Sequence, residues 1–218
     1  MGLRVAIVEK HRIGGDCIWT GCVPSKTLLK VTKVAHGMRT AHRFGLAPSA
    51  PVVDLKSVME HVRSAIEETY LHESPEILRT EGIDIFTGQA RFLDAKTLAV
   101  ADGDEEVRLR ARRFIIATGA KPLVPGIPGL DRIDYLTYET VWGLEKLPKP
   151  LLVVGAGPIG CELAQAFCRL GSNVTLLEAA PRILLNDEPE AAELLSQHLV
   201  EDGRPPTERY RPVGLGGP

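Results

Sequence analysis

The stretch "LLVVGAGPIGCELAQAFCRLGSNVTLLE" (residues 151–178) decides the fold. Its first four residues are apolar and read as a buried strand. They run into G-x-G-x-x-G at Gly155, Gly157 and Gly160. An amphipathic helical stretch follows, and then a second strand that ends in Glu178, 18 residues past Gly160. The glycine pattern alone is a weak signal. With a strand before it, a helix after it and an acid at that distance, it specifies a dinucleotide-binding βαβ unit. The glycines let backbone N–H groups approach a pyrophosphate at the helix N-terminus, and Glu178 can accept from both hydroxyls of a ribose.

The end of this unit has a counterpart at the start of the chain. "LGSNVTLLE" (170–178) aligns with "MGLRVAIVE" (1–9): Gly171 with Gly2, Val174 with Val5 and Glu178 with Glu9, all at one offset of 169 residues. Glu9 is therefore expected to close the second strand of another dinucleotide-binding unit. The strand and glycine loop that would precede it are expected to be missing, by roughly 20 residues.

The composition sets wider bounds. The chain has 218 residues, 44% hydrophobic and 25% charged, with a net charge of −2. That is enough to bury a core, and it gives no electrostatic signature of nucleic acid or an anionic membrane. No apolar run approaches the roughly 20 residues needed to span a bilayer, and no signal peptide is recognisable. A cytoplasmic protein is expected, in which the four cysteines are not structural staples. A helix from about Pro24 places Leu28, Val31, Ala35 and Met38 on one face. A second starts at Asp54, a good N-cap, with Leu55, Val58, Met59, Val62 and Ile66 on its stripe. From Ile83 the period changes to two. "IDIFTG", "QARFLD", "TLAVA" and "VRLRA", separated by turn chemistry, predict a small antiparallel meander. "RLRARR" (108–113) reads as a strand with one solvated basic face. "FIIATGAKP" (114–122) predicts a buried strand stopping at Gly119, and two Pro-rich connections place a domain boundary near Pro150.

In "HRIGGDCIWTGCVPSK" (11–26), four residues separate Cys17 from Cys22. Positions five apart in a regular α-helix lie roughly 8–9 Å apart at Cα. A disulfide needs less than about 7 Å. Pairing therefore requires a distorted segment, for which Gly21 supplies the freedom. Cys22 would sit near a helix N-terminus, where the dipole favours a thiolate. Two buried thiols, or half of a metal site, are the alternatives. No His or further Cys lies at ligand spacing, so metal is the weaker of these.

The segment "GGDCIWTGCVPSK" (14–26) resembles the redox-active signature of the flavin-dependent pyridine nucleotide–disulfide oxidoreductases, the class I family of dihydrolipoamide dehydrogenase, glutathione reductase and mercuric reductase. The resemblance runs in continuous order over residues 1–203, through the meander and "ATGAKP" (117–122) to the G-x-G-x-x-G unit. It implies an α/β fold of FAD- and NAD(P)-binding Rossmann-like domains with a small antiparallel meander. Residues 1–149 would form a partial FAD domain, 150–203 a partial NAD(P) domain and 204–218 an irregular tail.

The same resemblance assigns roles. Cys17 would exchange with substrate, and Cys22 would contact the flavin. Glu9 would bind the adenosine ribose of FAD. Gly14, Gly15, Asp16 and Cys17 would wrap its phosphates and flavin, Thr118, Gly119 and Ala120 would make the "ATG" contact, and Ala90 would offer a backbone contact to the adenine. Lys26 and Glu162 would form an ion pair beside the reactive flavin nitrogen. Gly155, Gly157, Gly160 and Glu178 would bind the pyridine nucleotide. Glu178 in place of an Arg favours NAD(H) over NADP(H), with Arg182 nearby as the opposing feature.

The implied chemistry passes a hydride from nicotinamide to flavin, and electrons on to a Cys17–Cys22 disulfide and then to a small or protein-bound dithiol/disulfide or a metal ion. Asp16, Trp19 and Thr20 depart from the Thr and Asn-Val pattern of dihydrolipoamide dehydrogenase and mercuric reductase. The family is homodimeric, and its dimerisation domain is expected to have no counterpart here. "RPPTERYRPVGLGGP" (204–218) holds four Pro and three Gly and predicts no buried strand. The chain is thus expected to be cut at both ends, with a changed reading frame near Gly203 as one origin of the tail, and not to hold FAD tightly. A non-catalytic nucleotide-binding remnant of the family and a thiol-based metal-binding or redox-sensing module are the alternative readings.

Overall fold

A computed structural model describes residues 2–203 and 210–214, with backbone alone for 210–214. The chain divides into two compact units that interleave along the sequence, Met1–Val23 with Ala65–Asp134 and Pro24–Ser64 with Tyr135–Pro218. Strand β1 (Val5–Glu9) is followed by a five-residue helix α1 (Gly15–Trp19), α2 (Cys22–Arg39), α3 (Leu55–His72) and α4 (Pro75–Thr80). Strands β2 (Ile83–Thr87), β3 (Gln89–Asp94), β4 (Thr97–Asp102) and β5 (Glu105–Arg110) come next. The chain continues through β6 (Pro150–Val154), α5 (Pro158–Leu170), β7 (Asn173–Glu178), α6 (Pro189–Gly203) and β8 (Tyr210–Gly214). Among the described residues no helix is long and apolar enough to cross a membrane.

In the first unit β1 and β2 pair in parallel, from Val5 opposite Ile83 to Glu9 opposite Thr87. "IDIFTG" thus leaves the meander to which its alternation assigned it. Alternation fixes which faces are apolar but not which neighbour a strand takes. The turn into β3 is made by Gly88, at φ +138°, whose N–H donates to the Glu9 carbonyl at 2.9 Å. A Cβ there would lie 2.4 Å from the Ala101 carbonyl oxygen, so only glycine fits. Strands β3, β4 and β5 form the antiparallel meander, and Leu98, Ala99 and Val100 of the central strand are buried. The basic strand face is exposed, with Glu106 of β5 accepting from Arg91 and Arg108.

The run at 114–119 corrects a second expectation. It forms no strand, and Ile115 is 94% exposed. An apolar run becomes a strand only where a ladder accepts its amides. The parallel sheet of this unit consists of β1 and β2, and residues 114–119 pair with neither.

The second unit holds the stretch at 151–178. Strands β6, β7 and β8 lie side by side, all parallel, with Leu151 opposite Val174 and Val174 opposite Tyr210. Parallel neighbours need long crossovers, and α5 and α6 supply them. Phe167 and Cys168 of α5, Val174 and Leu176 of β7 and Leu199 of α6 are buried. Gly171, at φ +113°, caps α5 by donating to the Phe167 and Cys168 carbonyls. Strand β8 corrects the reading of 204–218 as an irregular tail; the remainder of that segment lies outside the described residues. Pro212 is compatible with it because β8 is an edge strand, where a missing N–H breaks no central ladder.

Helix α2 buries Pro24, Leu28, Thr32 and Ala35, while Met38 is exposed. Thr32 thus takes a core place expected for Val31, its hydroxyl satisfied by the Leu29 carbonyl at 2.9 Å. In α3, Leu55, Met59, Val62 and Ile66 of the expected stripe are buried and Val58 is half-buried; Asp54 caps the helix, accepting from the Ser57 hydroxyl at 2.6 Å. The C-terminal half of α2 is tied to α5 and α6 through Asp202, whose side chain is 4% exposed. Its carboxylate accepts from Arg169 at 2.9 Å, Gln165 at 2.8 Å and His36 Nδ1 at 3.2 Å. Burial, then the Arg169 charge, lower the His36 pKa against the opposing pull of Asp202.

Candidate functional site

The site residues fall into two sets, one in each unit. In the first, α1 ends at Trp19, and Thr20 and Gly21 lead to Cys22, which begins α2. The Asp16 carbonyl accepts from Thr20 N–H at 3.0 Å and also from Gly21 N–H at 2.6 Å, a turn one residue wider than α-helical. A Cβ on Gly21 would lie 2.8 Å from the Asp16 oxygen and 3.4 Å from Cys17 Cα. Gly21 is not among the left-handed glycines, so what the loop exploits is its missing side chain rather than its freedom in φ. This break overcomes the separation a regular helix would impose. All four cysteines are thiols; Cys17 and Cys22 are both exposed, and their side chains are hydrogen-bonded to each other. That bond, then partial burial, and the charge of Glu73 further off, raise the Cys17 pKa; the Cys22 backbone N–H pulls it the other way.

The loop before the thiols is built on glycines. Gly14 and Gly15 have φ of +103° and +54°, and a Cβ on Gly14 would meet the Ile18 side chain at 2.8 Å. Gly119, at φ +68°, passes so close to Asp16 that a Cβ would sit 3.2 Å from its carboxylate. The "ATG" segment and the cysteine loop, far apart in sequence, are therefore neighbours. Thr118 and Ala120 are exposed beside Gly119, and Ala90 pairs with Val100 in the meander. Trp19 joins this loop to α3, an arrangement sequence reasoning did not find. Its indole N–H donates to the Ile13 carbonyl at 2.8 Å, Arg12 stacks 3.6 Å over its ring, and Tyr70 packs beside it with ring centroids 4.9 Å apart. The available signal was an aromatic side chain between two cysteines.

The second set is the glycine loop between β6 and α5. Gly155 has φ +99°. A Cβ on Gly160 would lie 1.9 Å from the Gly155 oxygen, whereas one on Gly157, the N-cap of α5, would meet nothing within 4 Å. The first two positions shape an open loop and the third permits the helix to press against it, as a bound pyrophosphate requires. Glu178 is engaged through both oxygens, accepting from Ala180 N–H at 2.9 Å and Ala156 N–H at 2.6 Å. These backbone bonds, Ala180 first, hold its pKa below the usual carboxylate range. A carboxylate has about four acceptor sites, so room remains for ribose hydroxyls. An open cleft of about 200 Å3 adjoins it, lined by Leu176, Ala180, Arg182, Ala192 and Ser196 among others. Glu9 repeats the geometry at the end of β1, accepting from His11 N–H, also two residues on, at 2.9 Å. The sequence repeat is thus a structural one.

Lys26, four residues along α2 from Cys22, forms an ion pair with Glu162 of α5. Cys161 and Cys168 are buried, and burial pushes the Cys161 thiol up to about 11.

Comparison with known proteins gives a consistent result. A family model described as pyridine nucleotide-disulphide oxidoreductase matches residues 1–203. A mercuric reductase of Lysinibacillus sphaericus is 39% identical over 202 residues, covering 93% of this chain and 36% of that protein. One from Streptomyces lividans is 36% identical over 204 residues, covering 93% and 43%. Among solved structures, the HOCl-induced flavoprotein disulfide reductase RclA of Escherichia coli superposes with a TM-score of 0.74 at 26% identity, covering 99% of this chain and 44% of that one. LpdA of Mycobacterium tuberculosis, at 24% identity, shares the fold with a TM-score of 0.78 over 96% and 45%. The chain spans less than half the length of each of these relatives.

Proposed function

The chain belongs to the pyridine nucleotide-disulphide oxidoreductase family, and on that premise we propose that it carries the dithiol and nucleotide-binding portions of an FAD-dependent reductase. Residues 1–149 are assigned to the flavin part and 150–203, with β8, to the NAD(P) part. The observation that carries the reading is the pair of exposed, hydrogen-bonded thiols Cys17 and Cys22 across the Gly21 break. FAD, when bound, supplies the two-electron relay between a pyridine nucleotide and that pair. Glu9, Gly14, Gly15, Asp16, Ala90, Thr118, Gly119 and Ala120 are the residues proposed to hold it. The left-handed glycines and the close approach of Gly119 to Asp16 suit a loop that follows an extended ligand. Lys26 and Glu162 form an ion pair within the second unit.

The thiols themselves act by exchange. The Cys17 sulfur attacks a substrate disulfide and releases one thiol. Cys22 then attacks the mixed disulfide, releasing the second thiol and leaving a Cys17–Cys22 disulfide. Two electrons pass from the pair to the substrate, and the two thiol protons leave with the products. A soft metal ion, such as the mercuric ion for which the relatives are named, is the other substrate class that two adjacent thiols accept. Oxidation with diamide in the presence of glutathione, followed by peptide mapping, tests the pair directly. The expected result is one Cys17–Cys22 linkage, with Cys161 and Cys168 neither oxidised nor alkylated. Independent capping of Cys17 and Cys22 by glutathione would overturn it.

Gly155, Gly157, Gly160 and Glu178 are proposed to bind NAD(H) in preference to NADP(H). Glu178 is held ionised and repels a 2′-phosphate. Arg182, the residue that could neutralise one, donates instead to the carbonyls of Ile183, Leu184, Leu185 and Asp187. Calorimetric titration is expected to show tighter NADH than NADPH. In Glu178→Gln the preference shrinks by about tenfold, equivalent to about 1.4 kcal/mol. Tighter NADPH in the unaltered protein sinks this assignment.

A further inference from the structure

We propose that Trp19 is a positioning residue for the Cys17–Cys22 pair, an inference that rests on the dithiol reading above. It stands inside the cysteine loop, two residues after Cys17 and three before Cys22. Helix α1 has five residues, too few to hold its own shape in water. Its approach is a pair of left-handed glycines, Gly14 and Gly15, the most permissive backbone available. Contacts to residues outside the helix must therefore fix where Cys17 points. Trp19 makes them in three directions. Its indole N–H binds the Ile13 carbonyl immediately before the glycine pair, closing the loop on itself at 2.8 Å. The Arg12 guanidinium, 3.6 Å from the ring centroid, covers one face. Tyr70, near the C-terminal end of α3, packs beside the ring at 4.9 Å and ties the loop to that end of the helix. The fit is close at Gly14 as well, where a Cβ would come within 3.2 Å of the indole nitrogen.

The consequence is kinetic and thermodynamic control of the thiol pair rather than contact with substrate. Exchange between two thiols in one chain is governed by how often their sulfurs meet in line, and small displacements of well-placed groups cost large factors. Releasing Trp19 lets α1 and its Cys17 drift about the glycine pair while Cys22 stays at the start of α2, an 18-residue helix. The effective concentration of one thiol toward the other then falls.

The test compares Trp19→Phe, which keeps a ring for Arg12 and Tyr70 but deletes the N–H, with Trp19→Ala, which removes everything. The readout is the effective concentration of Cys17 and Cys22, obtained from the equilibrium of the full chain with reduced and oxidised glutathione. The expected losses are about fivefold for Trp19→Phe and about fiftyfold for Trp19→Ala. Tyr70→Phe, which keeps the ring contact, is expected to retain the parent value. Far-UV circular dichroism and NADH titration, which report elsewhere in the chain, are expected to stay unchanged. Parent-like effective concentrations in both Trp19 variants would overturn the positioning role while leaving the dithiol reading intact. Absence of a Cys17–Cys22 disulfide in the unaltered protein instead overturns the reading on which the role rests.

Discussion

Gly160→Ala is expected to unfold the second unit or lower its melting temperature sharply, whereas Gly157→Ala folds normally and loses nucleotide. The added methyl at 160 falls 1.9 Å from a backbone oxygen, that of Gly155. Neither partner can swing aside, because both belong to the main chain. Relief requires α5 to lift from the loop between β6 and the helix, while Cys161, Ala164, Phe167 and Cys168 on that helix are all buried. Overpacking of this kind costs about 3 kcal/mol or more, a large share of the roughly 5–15 kcal/mol that holds a typical domain. At Gly157 the methyl meets nothing within 4 Å, so stability changes little. It occupies the space through which a pyrophosphate would reach the backbone amides. NADH affinity is expected to fall by about tenfold or more, at least about 1.4 kcal/mol. Thermal melts and NADH titrations of the two variants separate the roles. Equal melting temperatures would contradict the packing argument, and undiminished NADH binding by Gly157→Ala would contradict the assignment of the loop.

The strand–loop–helix geometry around Gly155, Gly157 and Gly160 is legible because its constraints are local. Spacing among Gly155, Gly157, Gly160 and Glu178 is set by one turn and one helix, and the helix is fixed by its own periodicity and the Gly171 cap. The repeat that identified Glu9 was legible for the same reason, since a strand-end acid accepting the amide two residues on recurs at both sites. The run at 114–119 was misread because a strand depends on a partner that its own sequence does not specify. β2 was misplaced for the complementary reason: its alternation suits the meander, but its partner is β1, more than seventy residues earlier in the chain.

The tail was misjudged on composition. Pro and Gly argue against a central strand, but β8 is an edge strand and tolerates them. Val31 and Thr32 differ by one position on α2. Apolarity favoured the valine, while a hydroxyl satisfied within its own turn let the threonine take the core. In the cysteine loop the sequence pointed to a distortion at Gly21 but not to its physical basis, because a carbonyl 2.8 Å from an absent Cβ is a tertiary fact. Asp202 is of the same kind: an acid near a helix C-terminus reads as a poor choice until Arg169, Gln165 and His36 converge on it.

Cys22→Ala is expected to abolish disulfide formation and also to move the reactivity of Cys17 toward lower pH. The first effect is one of stoichiometry and proximity. With one thiol left, the mixed disulfide formed at Cys17 has no resolving partner, and turnover of a disulfide substrate falls by on the order of a thousandfold. The second effect has a definite sign. The hydrogen bond to Cys22 is the largest influence raising the Cys17 pKa, and the backbone N–H of residue 22, which favours the thiolate, survives the substitution. Removing the first and keeping the second lets Cys17 lose its proton at lower pH than in the unaltered protein. Glu73→Gln shifts it the same way by less, because that carboxylate is the smallest of the raising influences. Iodoacetamide labelling of Cys17 across a pH series, read by mass spectrometry, measures both. A labelling midpoint that rises or stays fixed in Cys22→Ala contradicts the hydrogen-bonded pair. A midpoint that falls while residual turnover persists shows that the pair exists but that substrate reduction uses another electron source.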